Sequence, residues 1–252
     1  MVEDSRSDDS DFCHELLSKY GLTPDQMHRA AARYRLGRSK SGKTIFWMID
    51  DLGICRDGHI ATSWVSAMLK SRYPDLAQYV CPHHCLFGLH LIPHCASRKE
   101  PHPDPLMGRG YLSVRATGGA VKPPTMWGEV WRGVGTPLRQ EGAGCCERMM
   151  PLGIIESERS AVILSEACPD LLWLAYAYPA NLTVDQFAPL QGRTVTLFPR
   201  ADPDEYLAAL ELADQVRRAY PIDISVSALL EDHATDSQKS RNIDLVDFLF
   251  NL

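Results

Sequence analysis

Hydrophobic positions recur at helical spacing near the start of the chain. Phe12, Leu16, Leu17 and Tyr20 predict a short amphipathic helix that Gly21 stops. Thr23, Pro24 and Gln26 then supply a cap, a proline at the first helical position and a glutamine at the third, so a second helix is expected through Met27, Ala31 and Tyr34 to Gly37. The β-branched and aromatic stretch from Thr44 is followed by a turn and a second extended stretch at 54–64, which predicts a β-hairpin. From Pro151 onward strands and helices alternate. Strands are expected at 151–156, 171–176, 193–199 and 222–226, with helices at 157–168, 183–190 and 202–220 between them. Tyr206, Leu210, Ala213 and Val216 are read as the inward face of the last of these helices. That alternation predicts a parallel, doubly wound sheet, an α/β fold in the carboxyl-terminal half behind a small α+β unit.

Punctuation divides the chain further. Nine of the 17 glycines lie between Gly108 and Gly144, with prolines at 101, 103, 105, 123, 124 and 137, so 96–148 reads as a Gly/Pro-rich insertion or linker. The expected organisation is a disordered acidic tail at 1–11, an α+β domain at 12–95, the insertion, and an α/β domain at 149–252.

Composition narrows the class. The 252 residues are 45% hydrophobic and carry a formal charge of −6, which excludes collagen-like, low-complexity and wholly disordered chains. No apolar run reaches the ~18–20 residues of a membrane span, and the start MVEDSRSDDSD is too acidic for a secretory signal. A cytoplasmic protein with reduced cysteines, not attached to a membrane, is expected. The charge is unevenly spread: −4 over 1–11, +5 over 12–43, +2 over 44–148 and −9 over 149–252. A uniformly basic nucleic-acid coat is excluded; a polarised one is not. Arg29, Arg33, Arg35, Arg38, Lys40 and Lys43 are the candidate phosphate contacts of the basic part, with Arg159 and Arg200 beside the sheet.

Three patterns carry possible chemistry. Residues 37–44, GRSKSGKT, fit the Walker A string at every position. A phosphate cradle needs a strand before the loop and a helix after it, whereas here a helix precedes and a strand follows, so a basic turn entering a hairpin is the better reading. Cys81, Cys85, His90 and His94 have spacings that zinc accepts, but the apolar run 86–92 argues for core segment over zinc site, and zinc is not expected. Cys145 and Cys146 have no partner pair at metal spacing. Finally, Glu156 falls at the tip of the first parallel strand and Asp202 and Asp204 fall beyond the third. Carboxylates from neighbouring strand ends can converge on Mg²⁺, though Asp202 is equally a good helix cap.

At these residues the chain resembles the Toprim fold of primases and topoisomerases, and more closely the Toprim-like, primase-associated proteins of bacterial mobile elements. The matching pieces are 34–37 (YRLG), 46–50 (FWMID), 56–60 (RDGHI), 85–91 (CLFGLHL), 155–161 (IESERSA), 173–175 (WLA), 190–193 (LQGR) and 244–249 (DLVDFL). The resemblance implies that Glu156 acts as acid or base at a phosphoryl oxygen and that an Asp-x-Asp after the third strand holds Mg²⁺. Asp202 matches the second of those aspartates, and Arg200 stands at the first. Tyr176, Ala177 and Tyr178 replace the expected Thr-Gly-Gly, and no zinc ribbon is recognisable ahead of the matching pieces. The implied function is nucleic-acid processing or binding in replication or primer handling, with DNA or RNA as ligand and possible Mg²⁺-dependent phosphoryl transfer. The rival expectation is a non-catalytic regulatory or scaffold module for a primase or helicase partner.

Overall fold

The strand and helix signals resolve into two sheets sharing one core. The structure is a computed structural model that describes residues 2–60, 63–72, 85–92, 150–177 and 182–251. The 96–148 stretch lies outside the described residues, as do Cys81, His94, Cys145 and Cys146. Among the described residues no helix is long and apolar enough to cross a membrane.

The amino-terminal unit opens with α1 (Val2–Ser5), α2 (Asp11–Ser18) and α3 (Pro24–Arg33). Helix α3 starts where its sequence says it should. Thr23 accepts from Gln26 N while the Gln26 side chain accepts from Thr23 N, a reciprocal capping box. An antiparallel sheet follows in the order β1 (Gly37–Arg38), β2 (Thr44–Ile49), β3 (Cys55–Ile60), β4 (Ser63–Trp64), with α4 (Val65–Arg72) behind it. Every residue of β2 is buried, because both its faces are covered. Phe46 and Met48 enter the main core, while Ile45, Trp47 and Ile49 form a smaller cluster closed by Val2, Ile60 and Val65.

Residues 2–11 are therefore not a disordered tail. Arg6 bridges to Gly37, Ser7 N donates to Leu36 O at 3.1 Å, and Asp11 N donates to Gly42 O at 3.0 Å. Burial pushes the Asp11 carboxyl up, but hydrogen bonds from Thr44 and Lys43 outweigh it and bring it down to about 2. Acidic composition alone misses this, since it records neither the backbone bonds nor the hydrogen bonds that the Asp11 carboxylate accepts from Thr44.

The second sheet is wholly parallel, in the order β6 (Leu172–Tyr176), β5 (Leu152–Glu156), β7 (Thr194–Phe198), β8 (Asp223–Val226). Alternate side chains of β5 feed two layers. Ile155 joins α5 (Glu158–Ala167), α3 and α9 (Leu245–Phe250), whereas Leu152 and Ile154 join the 3-10 turn Val184–Leu190 and α6 (Pro203–Ala219). Short helices α7 (Leu229–His233) and α8 (Asp236–Lys239) precede α9. On α6 the inward stripe is Ala209, Leu212, Ala213 and Val216; Leu210 is 38% exposed, contrary to the periodicity reading. The stripe that meets the sheet follows the small residues, which allow close approach.

The segment 85–92 closes the β6 edge. Phe87 and Ala175 exchange N–H···O bonds at 2.8 and 3.1 Å, and the Phe87 ring stacks on Tyr34 at 5.0 Å. Tyr34 in turn donates to Trp173 O at 2.8 Å. The largest of the hydrophobic clusters takes residues from Phe12 to Phe250, so the two halves share packing.

Candidate functional site

In the order β6-β5-β7-β8 the chain leaves β5 for one neighbour and returns on the other side of it. The crevice beyond the carboxyl ends of β5 and β7 is thus the topological switch point, where ligands bind in open parallel sheets. Glu156 is the last residue of β5, and Arg200 lies two residues past β7. Tyr176 ends β6 in register with Glu156, while Glu205 sits in the first turn of α6. Ser157, which carries the chain from β5 into α5, has φ 80°, a left-handed conformation that costs a serine about 1–2 kcal/mol. Its N–H still donates to Tyr176 O at 3.0 Å, so the turn stays tied to the sheet.

The centre of this site is an ion pair. Arg200 Nη2 donates to Glu156 Oε1 at 2.9 Å, and Arg200 Nε lies 2.6 Å from Glu156 Oε2 and 3.5 Å from Glu205 Oε1. Burial pushes the Glu156 carboxyl up to about 7, with the charges of Glu205 and Asp244 adding to the push and Arg200 pulling the other way. Burial likewise raises Tyr176, helped by Glu156 and Glu205. Asp244 is raised by burial, accepts from Ser160 Oγ and caps α9 through Asp247 N at 2.9 Å.

These residues do not fit a magnesium ion as the sequence led one to expect. Asp202 Oδ1 accepts from Asp204 N at 2.8 Å and Glu205 N at 3.3 Å, so this carboxylate is spent on capping α6. Asp204 is exposed in the first turn of that helix. The guanidinium of Arg200 sits against Glu156, where a cation would have to lie. Among the described residues no group of three His, Cys, Asp or Glu side chains is placed to hold a metal. Glu205, in the first turn of α6, is the carboxylate that does approach the centre, 3.5 Å from Arg200 Nε.

The other sequence candidates are dispersed. Arg29 pairs with Glu166 at 2.7 Å, Arg33 lies 3.6 Å from the same carboxylate, and Lys43 pairs with Asp11 at 3.1 Å. Arg159 pairs with Glu15. Arg35 is half-buried with φ 50°, whereas Arg38 and Lys40 are exposed and meet no acidic side chain among the described residues. The string at 37–44 is a hairpin turn, as the order of elements predicts. Ser39 N donates to Lys43 O, Gly42 N to Ser39 O and Lys43 N to Ser39 Oγ, at 2.8, 3.0 and 3.0 Å. Those N–H groups point inward and cannot cradle a phosphate. Of the zinc candidates within the described residues, burial pushes the Cys85 thiol up to about 12, far from the thiolate that zinc needs, and His90 Nε2 lies 3.2 Å from Arg33 O. One pair was missed altogether: His59 Nδ1 lies 3.2 Å from Glu158 Oε1, both buried, joining the antiparallel sheet to the start of α5.

The comparisons with known proteins bear on this same region. The family model described as Domain of unknown function (DUF6371) matches residues 146–201, a span that holds β5, α5, β6, β7 and both members of the Glu156–Arg200 pair. Searches of curated proteins and of solved structures found no match.

Proposed function

We propose that this chain is a Toprim-like protein of a mobile element that binds nucleic acid during replication or primer handling and does not depend on aspartate-held Mg²⁺. One observation carries the reading: the Arg200 guanidinium is locked onto Glu156 at the switch point of a parallel sheet. In a Toprim-type centre that carboxylate would meet a phosphoryl oxygen with an ion beside it. Here Arg200 supplies the positive charge, and its remaining N–H groups are available to a phosphate oxygen. Glu156 orients the guanidinium and, with its raised affinity for protons, can carry a proton close to neutral pH.

Binding of labelled single-stranded DNA, duplex DNA and RNA in excess chelator tests this directly. Retained binding of at least one, weakened by Arg200→Ala, is expected. Mg²⁺-dependent nicking or primer synthesis that is lost in Glu156→Gln would overturn the metal-independent reading in favour of a catalytic one. A second reading, a scaffold for a primase or helicase partner, is favoured by the β2–β3 turn. Asp50 accepts from Leu52 N and Ile54 N at 2.9 and 2.8 Å and so fixes a turn that holds Leu52 and Ile54 62% and 50% exposed. It expects Leu52→Ser/Ile54→Ser to abolish a partner complex and leave nucleic-acid binding intact.

A further inference from the structure

The basic hairpin and the acidic segment before it lie against each other. Residues 2–11 carry five acidic side chains and one basic one, and residues 12–43 carry seven basic and two acidic. The segment runs beside β1, the strand that opens the hairpin. Arg6 pairs with Gly37, Ser7 N donates to Leu36 O, and Asp11 N donates to Gly42 O at the far end of the turn. Trp47 Nε1 donates to Ser5 Oγ at 3.0 Å from the neighbouring strand. The approach is so close that a Cβ on Gly37 would stand 2.6 Å from both Ser5 Oγ and Trp47 Nε1.

The acidic side chains of this segment meet two histidines and a lysine of the unit it covers. Asp8 pairs with His28 at 2.6 Å, Asp9 with His14 at 3.0 Å and Asp11 with Lys43 at 3.1 Å. Arg38, the last residue of β1, and Lys40, in the turn that follows it, are left exposed without an acidic side chain on them among the described residues. The turn itself is rigid, closed by three hydrogen bonds, so these two cations are presented from a fixed scaffold.

We propose that the 37–44 hairpin is a contact for a chain of phosphates, with Arg38 and Lys40 as its open positions, and that the acidic segment 2–9 competes with the ligand for the same face. The backbone bonds to Leu36, Gly37 and Gly42 hold this acidic segment along the hairpin, and carboxylates carried beside a cationic turn lower its attraction for polyanions and shorten its salt dependence. For the identity of the ligand this inference rests on the nucleic-acid reading above. The shared chemistry is the phosphate chain, which inorganic polyphosphate also offers, so both serve as probes.

The test uses the full chain in four forms: unaltered, Glu3→Gln/Asp4→Asn/Asp8→Asn/Asp9→Asn, Arg38→Ala/Lys40→Ala, and the two sets combined. The amide set is nearly isosteric, and Asp8 and Asp9 are 54% and 67% exposed, so a melting curve close to that of the unaltered chain is expected. Affinities for a labelled single strand and for polyphosphate are read across a salt series. The amide set is expected to tighten binding about tenfold with a steeper salt slope, and the Arg38/Lys40 set to weaken it by a similar factor and to cancel most of the gain when combined. Unchanged polyphosphate affinity in the amide set, or a gain that survives loss of Arg38 and Lys40, overturns the inference. If polyphosphate responds as expected and no form binds DNA or RNA, the hairpin assignment holds and the nucleic-acid reading falls. If the strand binds every form equally, the reading stands and the hairpin assignment falls.

Discussion

Glu156 shows how the burial of one ionisable side chain sets stability against pH. It is 9% exposed, faces Arg200 from the loop after β7, Glu205 from α6, Tyr176 from β6 and Asp244 from the cap of α9, and its carboxyl is held up at about 7 rather than 4.5. A folded carboxyl raised in this way binds protons more tightly than the unfolded chain does. Its contribution to stability is therefore full below about pH 4.5 and is lost as pH rises through about 7. The loss amounts to about 3 kcal/mol at most. Glu156→Gln keeps the shape and removes the titration. Denaturant unfolding of both forms across this range should show the variant gaining on the unaltered protein as pH rises; two parallel stability curves would mean that the Glu156 carboxyl titrates alike in the folded and unfolded chain. The sequence places this residue at a strand tip, but its partner Arg200 was legible only as a departure from the Asp-x-Asp pattern. Nothing in spacing says that a guanidinium 44 positions away turns back onto it.

Among the elements, α6 separates capping from metal binding. Asp202 Oδ1 takes two N–H groups at the start of a 17-residue helix, the arrangement in which Asp→Ala costs about 1 kcal/mol and Asp→Asn only tenths of that. Asp202→Ala should thus lower the unfolding free energy by about 1 kcal/mol, with Asn restoring it. A metal ligand would behave otherwise, since Asn in place of Asp would still lose the ion. Local signals of this kind are the most readable part of the chain. The Thr23–Gln26 box, the β2–β3 hairpin and the strand–helix alternation from 151 onward follow from residues within a few positions of one another. The phase of α6 was misread at Leu210 because the sheet-facing stripe is built on alanines as much as on large residues. The packing of residues 2–11 escaped for a different reason: it depends on backbone bonds to β1 and on Gly37 having no side chain, which charge composition does not encode.

At the scale of the whole molecule, the expected division at residues 95 and 149 does not correspond to two cores. Tyr34 from α3, Phe46 from β2, Phe87 from the 85–92 segment and Trp173 from β6 lie in one cluster, with Phe87 in contact with both Tyr34 and Phe46 at ring distances of 5.0 and 5.8 Å. The same Phe87 backbone pairs with Ala175, so one residue joins the antiparallel sheet, α3 and the edge of the parallel sheet. Such contacts were invisible in the pattern because they join residues far apart in the chain through a segment too short to show a period of its own. Phe87→Ala leaves the two backbone bonds possible and removes the ring, which for a fully buried phenylalanine costs about 3–5 kcal/mol. If the halves were separate domains, that loss would fall on one of them and the other would melt as before. With a shared core it must lower both together. Hydrogen exchange read at β2 and at β5 amides is expected to give one global opening free energy in the unaltered protein and an equal drop at both strands in the variant. A drop confined to β2, with β5 unchanged, would show that the parallel sheet and its Glu156–Arg200 centre stand without the amino-terminal unit.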